Sequence, residues 1–74
     1  MINNNNNLKF ELNTPIMTAK GMLVAKLELR QGIECYALYL ITGIQNAVKE
    51  ITTSMSERSI INRLVANTYK LNNQ

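Results

Sequence analysis

The chain has 74 residues, 46% of them hydrophobic, and eight Lys and Arg against five Glu give a formal net charge of +3. That length supports one small core and no second domain, and the basic excess is far short of a lysine-rich nucleic-acid-binding tail. No His, Asp or Trp occurs, and the single Cys35 can neither close a disulfide within the chain nor join a Cys/His cluster, so histidine-based catalysis and zinc-held folds are excluded.

No stretch approaches the length of about eighteen apolar residues that a membrane-spanning helix needs, and no basic, then apolar, leader opens the chain. A protein without membrane contact, in the cytoplasm where a lone thiol stays reduced, is the expectation. A chain this small without disulfides or metals often gains stability by association, which makes a homodimer the default expectation.

In chain order, five consecutive asparagines at Asn3–Asn7 predict a flexible Asn-rich tail over 1–7, outside a single small domain over 8–74. Leu8-Lys9-Phe10-Glu11-Leu12 alternates apolar and charged residues, which predicts a half-buried strand over 8–13, ended by Asn13-Thr14-Pro15. Over 22–30 the period is again two. Leu23, Ala25, Leu27 and Leu29 fall on one face, with Met22, Val24, Lys26, Glu28 and Arg30 on the other. A third strand follows over 33–41.

With Gln31 and Gly32 as the central residues of a tight turn, Leu29 pairs with Glu34, Leu27 with Tyr36, Ala25 with Leu38, and Leu23 with Leu40. A slip by one residue would destroy this apolar match. The other face of the hairpin carries charge near the turn and Met22, Val24, Tyr39 and Ile41 at the far end, a set expected to be covered by a helix or to bind a protein partner.

After Thr42-Gly43 the period reads as helical. Ile44, Ala47, Val48, Ile51 and Met55 predict a helix over 44–53, and Ile60, Ile61, Leu64, Val65, Thr68 and Leu71 predict a second over 56–71. Ser54 and Glu57 have capping-box spacing, with Ser56 as the alternative cap. The expected fold class is therefore α+β, a three-stranded antiparallel meander followed by two C-terminal helices. The rival is an all-α chain with a helix-turn-helix, in which 33–42 is a helix ended by Gly43.

The residues that could carry chemistry are few. Cys35 lies mid-strand with no histidine to activate it, the five Glu are scattered, and Gly21, Gly32 and Gly43 are too far apart to cradle a phosphate. No enzyme activity, cofactor or metal is expected. The second predicted helix holds a more promising face. Arg58, Ser59, Asn62, Arg63 and Lys70 lie opposite its apolar stripe with no carboxylate among them. Arg and Asn read base edges bidentately and Ser and Lys suit phosphates, so nucleic-acid binding, as a small regulator, is the leading expectation. The alternative is a protein-binding module, an inhibitor, adaptor or accessory subunit of the phage or mobile-element type, docking through the hairpin face or a sheet edge.

Overall fold

The centre of the molecule is set by two alternating runs and the tight turn between them. In the structure, a computed structural model that describes residues 8–43, 45 and 47–73, these runs are β2 (Gly21–Arg30) and β3 (Ile33–Thr42), and the tail expected over 1–7 lies outside the described residues. Gln31 and Gly32 take φ values of 53° and 78°, the two consecutive left-handed residues of the turn whose twist matches a hairpin. The register is the expected one, Leu29 opposite Glu34, Leu27 opposite Tyr36, Ala25 opposite Leu38 and Leu23 opposite Leu40.

Around this hairpin the architecture departs from expectation. The class is α+β, but among the described residues there are four antiparallel strands in the order β1-β2-β3-β4 and one helix, not three strands and two helices. The all-α rival is excluded because 33–42 is β3. The first strand is Ile16–Thr18, β1, and not 8–13. Phe10 and Leu12 still pack on the core while Leu8 stays exposed, so the alternation reported burial over 10–12 without a ladder. The segment ends at Asn13, held at a left-handed φ of 64° that Asn tolerates, with its N–H donating to the Ala25 carbonyl at 2.7 Å.

The predicted helix over 44–53 is instead a strand, β4 (Ala47–Ser54), paired with β3. Val48, Ile51, Thr52 and Thr53 are β-branched and suit a pleated surface, and a bulge accounts for the helical appearance. Tyr39 pairs with Glu50 but Leu38 with Thr52, so Ile51 is an extra residue. It interrupts the period of two and creates the three- and four-residue spacings that mimic a helix. Val48 and Ile51, assigned to one helix face by that spacing, lie on opposite faces of the sheet, Val48 opposite Ile41 and Ile51 against the core.

The last element matches expectation closely. Helix α1 spans Glu57–Asn72, with Ser56 as its cap, its side chain accepting from the Ser59 N–H at 3.2 Å. Ser54 does not cap the helix; its Oγ accepts from the Ser56 N–H one step earlier. The helix lies against all four strands. Its buried Ile60 and Leu64 form one core with Ile16, Leu23, Ala25 and Leu38, and the hydroxyl of the buried Thr68 donates to the Leu64 carbonyl. Ten-residue strands are about 33 Å long and a sixteen-residue helix about 24 Å, so the hairpin tip runs beyond the helix. Leu29, on the helix side, is accordingly left 70% exposed.

The tight connection from β1 to β2 fixes the other end. Thr18 Oγ1 donates to the Gly21 carbonyl and accepts from the Lys20 N–H, and the Ala19 N–H reaches Asn72 Oδ1 at the end of α1 at 2.8 Å. Gly21 has a φ of +145°, and a Cβ there would sit 2.6 Å from the Ile41 carbonyl oxygen, so this position needs glycine.

Candidate functional site

Two surfaces remain after the core is accounted for, one on the outside of α1 and one on the sheet face that α1 does not cover. On the helix, a rise of 1.5 Å per residue places Arg58 and Lys70 about 18 Å apart along one side. Arg58, Ser59, Asn62, Arg63 and Lys70 are all exposed there, as the apolar stripe opposite them requires. Glu57, exposed in the first turn, is the one carboxylate of α1, and none follows it along the helix. Tyr69, 59% exposed, adds a flat apolar ring to the basic face. Asn67 lies at the margin, its amide donating to the Arg63 carbonyl at 2.8 Å.

Lys49 joins this side of the molecule by a route the sequence did not suggest. As a β4 residue it pairs with Leu40 on the helix-covered face, where it lines a groove of about 260 Å³ with Asn67 and Lys70 over Leu40, Ile51 and Leu71. The helix-turn-helix geometry itself is absent, because the segment expected to form its first helix is β4.

The uncovered sheet face holds Met22, Val24, Tyr39 and Ile41 together, and adds Met17, Val48 and Glu50 from the outer strands. Direct cross-strand partners share a face, so Met17, Met22, Ile41 and Val48 form one row across all four strands, and Val24, Tyr39 and Glu50 the next. Met17 escaped notice because Ile16-Met17-Thr18 is too short for an alternation to stand out. Val48 did so because it was counted on a helix.

Beyond these rows the face is polar. Tyr39 donates its hydroxyl to Glu28 Oε2, and Arg30 donates to Glu28 Oε1 at 2.8 Å, to the Tyr39 oxygen at 3.1 Å and to Glu50 Oε1. The Tyr39 hydroxyl and the Arg30 guanidinium hold the Glu28 carboxyl below its ordinary value, and the same bond from Tyr39 to Glu28 raises the phenol. Arg30, bound by Glu50 and Glu28, is raised further above its already high value and stays charged. Lys26 and Arg30 therefore belong to this face and not to the basic side of α1.

Two of the residues beneath this cluster are buried although no element covers them: Cys35, opposite Glu28, and Ala37, opposite Lys26. Among the described residues no three His, Cys, Asp or Glu come together as a metal site, and no helix is long and apolar enough to cross a membrane. No protein-family model, curated protein or solved structure matches the chain.

Proposed function

We propose that the chain is a small, non-enzymatic regulator of the cytoplasm that binds nucleic acid through the outward face of α1. The separation of charge carries this reading. Lys26, Arg30, Glu28 and Glu50 on the uncovered sheet face sum to zero, so the other six cations and three carboxylates, spread elsewhere, hold the whole net charge of +3. Within that remainder, Arg58, Arg63 and Lys70 line one side of a rigid helix, interleaved with Ser59 and Asn62. Guanidinium groups grip phosphates or guanine edges in pairs of bonds, the Asn62 amide suits adenine, and Tyr69 offers a ring on which a base or sugar can rest. The non-enzymatic part of the reading rests on residue types: neither His nor Asp is available, and Cys35 is buried.

Fluorescence anisotropy with labelled duplex and single-stranded oligonucleotides, over a range of salt, tests the proposal. Three neutralised phosphates give a log-log salt slope of about −2 to −3. Arg63→Glu and Lys70→Glu should each weaken binding by about tenfold or more and flatten that slope. Absence of binding to every oligonucleotide at low salt would sink the reading.

A second reading is favoured by one observation, the apolar row on the uncovered sheet face beside Val24 and Tyr39. On it the chain is an inhibitor, adaptor or accessory subunit that docks a protein there. Tyr39→Arg, far from α1, should then abolish partner binding while oligonucleotide affinity stays as in the wild type.

A further inference from the structure

The uncovered sheet face is unevenly finished. At the end near the hairpin turn, Glu28, Arg30, Tyr39 and Glu50 bond to one another, and long side chains shelter the small ones, leaving Cys35 and Ala37 at 9% and 0% exposure. At the other end the row Met17, Met22, Ile41 and Val48 has no such shelter, and its outer members are 70% and 61% exposed.

We propose that a second copy of this chain covers this face, the two copies being related by a two-fold axis that runs along the strands between β2 and β3. Self-complementarity is what singles out this occupant. Such an axis exchanges β1 with β4 and β2 with β3, so it lays Met17 over the partner's Val48 and Met22 over the partner's Ile41. The row is apolar at all four strands, so it meets an apolar row wherever it lands. An axis across the strands through the middle of the face would instead set this row on the charged end.

Charge agrees with shape. Lys26, Glu28, Arg30 and Glu50 sum to zero and three of them are already bonded together, so two copies meet without like-charge repulsion, while a strongly charged partner finds no complement here. Beside the row lies a hollow of about 190 Å³ lined by Val24, Lys26, Glu28, Tyr39, Ile41 and Val48. A flexible thioether such as Met17 suits an opening of that irregular shape.

The interface is small. With three residues in β1, ten each in β2 and β3 and eight in β4, at about 3.3 Å per residue and about 4.8 Å between strands, the sheet frames about 500 Å² per copy, the range of weak, transient interfaces. A weak dimer follows, one that forms reversibly over micromolar concentrations. This proposal goes beyond the nucleic-acid reading and does not depend on it. The dimer leaves both basic helices on its outer sides.

Sedimentation equilibrium of the wild-type chain from about 5 to about 500 μM should show the mass rising from 8.4 kDa toward twice that value. Met17→Glu and Val48→Glu, both at exposed positions, should each weaken the dimer by about tenfold or more, the pair together should keep the chain monomeric, and Arg63→Glu should leave the dimer unchanged. A wild-type chain that stays monomeric throughout overturns the proposal and leaves the face to a different protein. A dimer that survives the double variant overturns it by placing the contact elsewhere. If circular dichroism shows that the double variant has lost its fold, methyl NMR of the wild type on dilution decides: shifts centred on Met17, Met22, Ile41 and Val48 support the proposal, and shifts centred elsewhere refute it.

Discussion

Tyr39 lies at the meeting point of the two halves of the uncovered face, its ring beside Val24 and its hydroxyl in the cluster with Glu28 and Arg30. The bond to Glu28 acts in opposite directions on the two groups, and each direction has its own pH consequence. Glu28 is held below its ordinary value of 4.5 in the folded protein, so its contribution is complete above that value and is lost as pH falls through the lowered one. Tyr39 is raised above 10.0, so its contribution is complete below that value and is lost as pH rises through the raised one. Both groups touch solvent, so the effects are small and shrink in salt. Glu28→Gln should remove the acid limb from a series of urea melts and return the Tyr39 phenol toward 10.0 in an NMR titration of its ring carbons. An unchanged Tyr39 titration would mean that Glu28 is not its partner in solution.

At the scale of elements, local signals and longer-range ones fared differently. The helix over 57–72 was legible because its stripe, its Ser cap and its polar end agree. The cap should be measurable: Ser56→Ala leaves the Ser59 N–H without its acceptor and is expected to cost about 1 kcal/mol, a fall of about 4 to 8 °C in Tm, read by thermal melts in circular dichroism. The β2–β3 hairpin was legible for a similar reason, since one turn and one register satisfy ten alternating residues on each side. The strand β4 was not. Its bulge at Ile51 exists only because Leu38 and Tyr39 of β3 offer successive partners to Thr52 and Glu50, and nothing in residues 47–54 alone announces that. The same bulge removes the first helix of the expected helix-turn-helix, yet leaves the basic face of α1 intact.

At the scale of the whole molecule, one helix on one sheet makes a thin core. Leu23, Leu38, Ile60, Leu64 and Thr68 are the largest side chains sealed from solvent, and a single lost contact there matters. Leu64→Ala is expected to cost about 2 to 5 kcal/mol, a large share of the roughly 5 kcal/mol at the lower end of domain stability, and chemical denaturation should show the variant partly unfolded in the absence of denaturant. Charge is also organised at this scale. The helix side carries the outward cations of α1 together with Lys49, and the opposite side is neutral and partly apolar, which is why the two surfaces invite different partners.

The sequence by itself determined the central hairpin with its register, the helix at 56–71 that the structure places at 57–72, and the five residues that α1 turns to solvent, because each depends on neighbours a few positions apart, while the choice of α+β over the all-α rival waited for β3. Only the tertiary structure decided where the rest of the chain goes. Phe10 and Leu12 face the core without a ladder, three residues after Pro15 become the edge strand, and a bulged β4 replaces a helix, since each outcome rests on partners elsewhere in the chain. The same holds for the candidate surfaces. The outward side of a helix follows from its own period, whereas the apolar row of Met17, Met22, Ile41 and Val48 comes from four strands and exists only once the sheet has assembled.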